Sequence, residues 1–211
     1  SSFAAREALH IAAYSHLIES LGMPETTYNE FMEYDVMREK HEYFVKKINN
    51  GVALPVKLAA ISAFSEGLAL FASFIMLLNF PRHGKMKGMG QIVTWSIVDE
   101  TQHAEGVIQL FRTYVEENRE VWNDATKSQI YSVCTKMVEL EDSFIDLAYS
   151  MGPVQGLRDS EIKQYIRYIA DRRLISMGMK GIFKVKKNPL PWVEEMINAP
   201  QSVHIILCFI H

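Results

Sequence analysis

Apolar residues recur along most of this chain at intervals of three and four positions, the spacing that is typical of amphipathic α-helices. Almost no segment alternates strictly between apolar and polar residues, as a half-buried strand would. Clusters of glycine, proline and asparagine interrupt the helical pattern and divide it into long segments. The pattern therefore predicts an all-α bundle with little or no sheet.

Helix-breaking residues set the bounds of six predicted helices. Gly22-Met23-Pro24 ends the first, and Thr27-x-x-Glu30 resembles a capping box at the start of the second. Asn49-Asn50-Gly51 closes that second helix. The remaining four are predicted over about Pro55 to Phe80, Gly88 to Glu117, Asp124 to Met151 and Asp159 to Met179.

Two Glu-x-x-His pairs carry the most informative chemistry: Glu7 with His10, and Glu100 with His103. Residues i and i+3 share a helix face, so each pair directs one carboxylate and one imidazole to the same point. Apolar residues flank both pairs, which predicts burial, and a buried ionised Glu requires a partner such as a metal. Two such helices facing each other form the cage of di-iron and di-manganese carboxylate proteins. The competing interpretation is two exposed helix faces that carry Glu and His by coincidence.

Glu66 is the single charged residue in the apolar run from Leu58 to Leu78. A membrane-spanning helix is the competing explanation for a run of this length. The interior Glu66, the serines around it and the lack of a second comparable run favour a helix in the core of a bundle. In the company of the two Glu-x-x-His pairs, Glu66 is predicted to be a further metal ligand.

Composition and charge narrow the class of protein. The 211 residues are 48% hydrophobic, which is enough for the core of a single domain. A net charge of −3 gives no reason to expect nucleic acid or an acidic membrane as a partner. Two cysteines, Cys134 and Cys208, define neither a disulfide framework nor a cysteine-based zinc site, and they favour a reducing, cytoplasmic compartment. We expect one helical domain over residues 1–200 and an atypical extension over 201–211.

Tyr14 extends the predicted metal site toward redox chemistry. It follows His10 by four positions and Glu7 by seven, so it shares their helix face. A tyrosine beside an oxygen-activating site can be oxidised by one electron. The alternative is a core tyrosine whose hydroxyl is hydrogen-bonded, and spacing alone leaves both interpretations open.

Apolar residues near Glu66 are candidates for shielding such a site. Leu70 and Phe74 follow Glu66 by four and eight positions, so on a continuous helix they project to the same side. Together with Ile97 they are expected to keep water and reductants away from an oxidised tyrosine.

Four motifs, taken in order, resemble the small, radical-generating subunit of class I ribonucleotide reductase. Their order and spacing cover nearly the whole chain up to about residue 200. The resemblance implies a ferritin-like helical bundle with two iron ions in its core, or manganese or a mixed manganese–iron pair. The motifs are Glu7-x-x-His10-x-x-x-Tyr14-Ser15, Ser65-Glu66 in an apolar helix, Asp99-Glu100-x-x-His103 and Asn188-Pro-Leu-Pro-Trp192.

The resemblance also implies a role for each predicted ligand. Glu7 and Glu100 would bridge the two metals. His10 would belong to one metal, while His103 and Glu66 would belong to the other.

Three further positions take roles from the resemblance. Tyr14 matches the tyrosine that carries the radical. Asp99 matches the acid that hydrogen-bonds a metal-ligating histidine, which fixes the orientation of that ring. Leu70 stands where many relatives have a phenylalanine near the radical.

The resemblance implies a function divided between two kinds of subunit. The small subunit, a homodimer, stores an oxidising equivalent that a large catalytic subunit uses to reduce ribonucleotides to deoxyribonucleotides. The family also has an upstream aspartate ligand, an upstream relay tryptophan and a C-terminal tail that binds the large subunit. We therefore expect a chain truncated at its N-terminus and altered at its C-terminus, with weaker metal binding at His10 and no activity of its own.

Two other functions remain open from the sequence. One is an oxidase of the same fold that acts on a small ligand, against which Tyr14 argues because those relatives lack a tyrosine there. The other is a non-enzymatic ferritin-like iron-binding protein, in which the segment from Asn188 to Trp192 is not expected. A hydrophobic tunnel would support the first alternative, and a symmetric shell-forming surface would support the second.

Overall fold

The computed structural model describes residues 2–48 and 51–198. Within these two ranges the chain is helical and forms no strand, which confirms the all-α prediction. The separator Asn49-Asn50 and the predicted extension over 201–211 lie outside the described residues.

Nine α-helices follow one another through the described ranges. Short 3₁₀ turns occupy Phe31–Glu33 and Arg119–Val121, and π-helical segments over Tyr43–Ile48 and Ala60–Glu66 continue the third and fourth helices. The α-helices are α1 (Ser2–Ser20), α2 (Thr27–Glu30), α3 (Asp35–Glu42), α4 (Leu54–Ala59), α5 (Phe71–Arg82), α6 (Lys87–Glu117), α7 (Asp124–Ser150), α8 (Asp159–Ser176) and α9 (Pro191–Asn198).

Helix α1 ends where the glycine predicts. Gly22 has a φ of +67°, in the left-handed region that favours glycine, and its N–H donates to the carbonyl of Glu19 at 2.9 Å. The N–H of Met23 donates to the carbonyl of Ile18 at 3.2 Å. These two bonds form a Schellman motif, which satisfies carbonyls at the end of the helix.

The second predicted helix is not continuous, and its predicted capping box is wrong. Helix α2 lasts one turn, and Tyr34 then adopts an extended conformation with φ −79° and ψ 120° before α3 begins. Thr26, which precedes α2, has helical dihedral angles and makes no side-chain cap; its hydroxyl lies 3.5 Å from Glu30 Oε1. The acidic Asp35 in the first turn of α3 is favourable at a helix N-terminus, which supports a new start there.

The third predicted helix is also divided, at the position that matters for the predicted ligand. Helix α4 widens into the π-helical segment that ends at Glu66, residues 67–70 form a turn, and α5 then begins. The N–H of Gly67 donates to the carbonyl of Ser62, five residues back, at 3.0 Å. The hydroxyl of Ser62 donates to the carbonyl of Leu58 at 2.8 Å, a back-bond that bends helices.

The run Leu54–Arg82 is long and apolar enough to cross a membrane by length and composition. Of its most apolar window, 61% is buried inside the fold. The core helix of a soluble protein passes the same test, so the run carries little weight as a sign of a membrane span.

The core lies between the segments α4 to α8. Helix α6 packs against the π-helical segment Ala60–Glu66 and against α5. Helix α7 packs against α8, and α1 lies against α6. Cys134 on α7 is fully buried, and burial raises the pKa of that thiol to about 12. The bounds of α6, α7 and α8 agree with prediction to within a few residues, whereas α9 was not predicted.

Candidate metal centre

The packing of α1 on α6 brings the two Glu-x-x-His pairs face to face. Glu7 has Oε2 3.8 Å from Nδ1 of His10 and Oε1 3.5 Å from Nδ1 of His103. Glu100 has Oε1 3.3 Å from Nδ1 of His10 and Oε2 3.9 Å from Nδ1 of His103. Each carboxylate therefore presents one oxygen to each imidazole, which is an arrangement that can bridge two metal ions.

Glu66, the last residue of the π-helical segment Ala60–Glu66, lies beside the two Glu-x-x-His pairs. These five residues, Glu7, His10, Glu66, Glu100 and His103, are called the cage below. The Oε2 atom of Glu66 lies 3.8 Å from Nδ1 of His103, is buried, and accepts no hydrogen bond from the described residues. The ligand atoms of Glu7, Glu100 and His103 all lie within 4.8 Å of one another. A buried carboxylate oxygen without a donor, among oxygen and imidazole ligands, fits a cation such as iron or manganese.

Burial differs between the two pairs. Glu100 and His103 are 4% and 3% exposed, as predicted, whereas the side chain of Glu7 is 51% exposed. The predicted burial of the first pair is therefore wrong for Glu7. Helix α1 has one face against α6, and the apolar Leu9 and Ile11 beside Glu7 are exposed, so apolar neighbours do not indicate burial there.

Asp99 orients the imidazole of His10. Its Oδ2 lies 3.3 Å from Nε2 of His10, which leaves Nδ1 of the ring toward the two carboxylates. The other oxygen of Asp99 forms an ion pair with Arg6. Arg6 was not predicted, because a basic residue on an exposed helix face carries no sign of its partner.

Tyr14 points its hydroxyl at α6. The hydroxyl donates to Oγ of Ser96 at 3.1 Å. Burial raises the pKa of Tyr14, and the charge of Glu100 acts in the same direction. Ser96 was not singled out from the sequence, although it precedes Glu100 by four positions and so shares its helix face.

The three apolar residues that were expected to shield the site lie in different places. Leu70 is 40% exposed in the turn that follows Glu66, whereas Phe74 and Ile97 are buried in the core. Positions four and eight residues after Glu66 share its face only on a continuous α-helix, and the turn at residues 67–70 changes the direction in which the later side chains project. The shielding role of Leu70, Phe74 and Ile97 stays a prediction.

A cavity of about 1100 Å³ opens beside the cage. Helix α3 and the π-helical segment after it form its opposite wall. The surface of the whole cavity is mostly apolar, and its lining includes two basic side chains. The cavity is lined by Glu7, Tyr14, Glu66, Leu70 and Glu100 on the cage side, and by Met37, Lys40, His41 and Phe44 on the other.

Burial, and to a smaller extent the crowding of carboxylates, shifts the pKa values of the metal-free cage. Burial raises the pKa of Glu100 to about 7, and the charges of Glu7, Glu66 and Asp99 add to the effect. Burial also raises the pKa of Glu66, and it lowers the pKa of His103. Without a cation, the carboxyl of Glu100 therefore titrates near neutral pH.

The metal-free protein is expected to lose stability as the pH rises through this range. The pKa of the Glu100 carboxyl rises from 4.5 to about 7 on folding, so the folded state binds this proton more tightly than the unfolded state does. The protonated carboxyl therefore stabilises the fold at low pH, and this stabilisation is lost as the pH rises through about 7. We expect the free energy of unfolding to fall between about pH 5 and about pH 8, with Glu100 contributing on the order of 2 kcal/mol. Urea unfolding of the wild type and Glu100→Gln across this range measures the effect.

The comparison with Glu100→Gln isolates one group from its neighbours. His103, whose pKa is lowered, acts in the opposite direction below its ordinary value of 6.5, but it is present in both proteins. Equal pH dependence in the wild type and Glu100→Gln would contradict the prediction.

Sequence relatives identify the family. The family described as ribonucleotide reductase, small chain, matches residues 1–189. A protein of Invertebrate iridescent virus 3, named as a probable ribonucleoside-diphosphate reductase small subunit, is 47% identical over 222 residues, which cover 96% of this chain and 59% of that protein. The ribonucleoside-diphosphate reductase subunit beta of Chlamydia pneumoniae is 32% identical over 206 residues, which cover 91% of this chain and 59% of that protein. The chain thus spans about three fifths of the length of these relatives.

Solved structures share the fold. The ribonucleotide reductase R2 subunit from Clostridium botulinum matches with a TM-score of 0.78 at 19% identity, over 91% of this chain and 63% of that one. A Bacillus halodurans structure described as a class I ribonucleotide reductase candidate matches with a TM-score of 0.82 at 23% identity, over 92% of this chain and 72% of that one. At these identities the match speaks for the fold alone, and it confirms the predicted ferritin-like bundle. The family match over residues 1–189 and the 47% identity to the iridescent virus protein show that this chain belongs to the ribonucleotide reductase small-chain family.

Proposed function

We propose that this chain is the metal-binding, radical-generating part of a ribonucleoside-diphosphate reductase small subunit. One observation carries the proposal: Glu7 and Glu100 each present one oxygen to His10 and one to His103. Family membership and the 47% identity to a protein named as such a subunit support the same function.

The geometry supports one assignment of ligands to two ions. Glu7 and Glu100 would bridge the ions, His10 would hold the first, and His103 with Glu66 would hold the second. Carboxylate and imidazole ligands suit iron, which we propose as the metal, and manganese accepts the same ligands. The ion pair of Arg6 with Asp99 would keep the ring of His10 turned toward its metal.

Tyr14 is the proposed site of the radical. When bound, the metal pair would supply the oxygen-dependent oxidising equivalent that removes one electron from Tyr14. A phenol with the ordinary pKa of 10 is protonated at neutral pH, and burial raises the pKa of Tyr14 further. The phenol hydroxyl donates to Oγ of Ser96, 3.1 Å away, and this hydrogen bond would orient the phenol. Loss of the electron makes the phenol strongly acidic, and its proton would pass beyond Ser96, because a serine hydroxyl is too weak a base to keep it.

The proposal includes the partners that this function requires. The stored oxidising equivalent would serve a large catalytic subunit that reduces ribonucleoside diphosphates to deoxyribonucleotides. A second copy of the small subunit would cover exposed apolar surface on α1, where Leu9 and Ile11 are 68% and 69% exposed. We propose a cytoplasmic location for this assembly.

Electron paramagnetic resonance tests the proposed function. A subunit of the relatives' full length that contains this chain is loaded with ferrous iron and exposed to oxygen. We expect a tyrosyl radical signal in the wild type and complete loss of that signal in Tyr14→Phe, with the iron content unchanged because Tyr14 is not among the ligands. Tyr28→Phe, at an exposed tyrosine in α2, is the matched control and should keep the signal. A wild-type protein that binds iron but forms no radical would overturn the proposal.

The cavity beside the cage favours a second candidate function. A mostly apolar space of about 1100 Å³ that reaches Tyr14 and Glu66 would suit an oxidase that acts on a small apolar ligand. Such an oxidase would carry a ligand in this cavity after purification, and mass spectrometry of the extracted protein would detect it. A radical on Tyr14 without a bound ligand would decide for the reductase subunit.

A further inference from the structure

In the turn at residues 67–70, the backbone carbonyls of Gly67 and Ala69 accept hydrogen bonds from side chains of other helices. Carbonyls at the end of a helix lack partners within it and need donors from elsewhere. The carbonyl of Gly67 accepts a hydrogen bond from Nε of Arg173 on α8 at 3.1 Å. The carbonyl of Ala69 accepts one from Nζ of Lys40 on α3 at 2.5 Å. Two cations from two different helices therefore hold the turn that directly follows Glu66.

We propose that Lys40 and Arg173, which we call the carbonyl clamp, are positioning residues that fix the direction in which Glu66 enters the metal cage. The inference rests on the proposed function, because it assigns the clamp a purpose only if Glu66 binds metal. Glu66 is the last residue of the π-helical segment, one residue before the first clamped carbonyl. The Oε2 atom of Glu66 accepts no hydrogen bond from the described part of the chain. The direction of the Glu66 side chain therefore depends on the position of its backbone.

The Lys40 arm of the clamp is built into the core. Its side chain is 14% exposed and forms an ion pair with Glu141 of α7, whose side chain is fully buried. The ammonium also lies 5.2 Å from the centre of the Phe144 ring. Burial raises the pKa of Glu141 to about 7, although Lys40 and the backbone of Ala72, in the first turn of α5, favour its charged form. The pair thus places a cation at the end of one helical segment and a carboxylate at the start of the next, as the helix dipoles prefer.

Stability alone does not explain this ion pair. Replacing a buried pair by apolar side chains of similar size is often neutral or stabilising by about 1–4 kcal/mol, because taking two charges out of water is costly. A pair that contributes little net stability but has a defined geometry suits a positioning role.

The Arg173 arm reaches the same turn from α8. Its guanidinium lies 5.9 Å from the centre of the Phe71 ring, at the start of α5. A Cβ atom at position 67 would lie 2.8 Å from Nε of Arg173, so the absence of a side chain at Gly67 is what allows this close approach. The turn is therefore held by donors from two different helices.

Binding of cobalt(II) to this chain, followed by its visible absorption, tests the clamp. The clamp variants are Lys40→Met/Glu141→Leu, which replaces the whole pair so that no charge is left buried, and Arg173→Met. We expect each to lower the affinity for the most tightly bound cobalt(II) by about tenfold or more, the size of effect that residues supporting a ligand have. Their cobalt(II) spectra should shift in the same direction as that of Glu66→Gln, which removes the charge of the ligand itself.

Two controls separate positioning from general packing. Glu39→Leu/Lys136→Met makes the same chemical change in an exposed pair between the same helices, α3 and α7, whose Nζ–Oε1 distance is 2.7 Å, and it should bind cobalt(II) like the wild type. Lys40→Arg keeps a cation at the carbonyl of Ala69 and should retain most of the affinity.

The outcomes distinguish the clamp from the function on which it rests. Clamp variants that bind cobalt(II) with wild-type affinity and spectrum, while Glu66→Gln does not, would overturn the clamp and leave the proposed function standing. Glu66→Gln that binds cobalt(II) like the wild type would overturn both the clamp and the assignment of Glu66 as a metal ligand, while the proposed function would still be decided by the radical on Tyr14. If the double variant does not fold, Arg173→Met decides by the same criteria.

Discussion

Replacing Glu100 with glutamine should lower the affinity of this chain for ferrous iron by about 100-fold or more, roughly 3 kcal/mol. The carboxylate presents Oε1 to His10 at 3.3 Å and Oε2 to His103 at 3.9 Å, so its charge acts on both proposed metal positions. Glutamine keeps the shape but removes the charge that a hard cation requires. Anaerobic equilibrium titration with ferrous iron measures the change.

The same substitution should affect the metal-free protein in the opposite direction. Glu100 is buried among three other carboxylates, and removing its charge should raise the free energy of unfolding above about pH 7. The matched control is Glu116→Ala, which removes an exposed carboxylate from the same helix α6. It should leave the iron affinity and the free energy of unfolding unchanged within error. Unchanged iron affinity in Glu100→Gln would show that the cage does not bind iron through this residue.

Gly67→Ala should destabilise the fold by about 3 kcal/mol, the combined cost of overpacking and of weakening a hydrogen bond from a charged group. The added Cβ would lie 2.7 Å from the carbonyl oxygen of Ala63, 2.8 Å from that of Ser62 and 2.8 Å from Nε of Arg173. Two of these three neighbours are backbone atoms and cannot move without disturbing the π-helical segment. Thermal and urea unfolding of the metal-free protein measure the loss.

Gly88→Ala is the matched control for this prediction. Gly88 lies in the first turn of α6 and is exposed, and a Cβ added there would meet no atom within 4 Å. Alanine is favoured over glycine in a helix by about 0.5–1 kcal/mol, so this variant should be slightly more stable than the wild type. A Gly67→Ala protein as stable as Gly88→Ala would show that the turn is more adaptable than its contacts indicate.

The sequence was sufficient for the parts of the site that depend on local geometry. Glu7 with His10, and Glu100 with His103, lie on uninterrupted α-helices, where i and i+3 share a face whatever the rest of the fold does. Tyr14 reaches the same region for the same reason. The all-α class followed from the period of the apolar pattern, which is equally local.

The features that the sequence did not predict depend on distant contacts. An apolar run looks the same whether it forms one α-helix or an α-helix that widens into a π-helix, so the turn after Glu66 could not be read from it. The donors to that turn, Lys40 and Arg173, lie 29 and 106 residues from their acceptors. Ser96 as the partner of Tyr14 follows from the way α1 lies on α6, which no pattern within either helix specifies.

The buried thiol of Cys134 bears on how the protein tolerates the chemistry proposed for it. The thiolate, not the thiol, reacts with oxidants and forms sulfenic acid or mixed disulfides. With its pKa raised to about 12 and no surface exposed to solvent, this sulfur is almost wholly protonated and out of reach at neutral pH. The iron and oxygen chemistry proposed for the cage would therefore not oxidise Cys134.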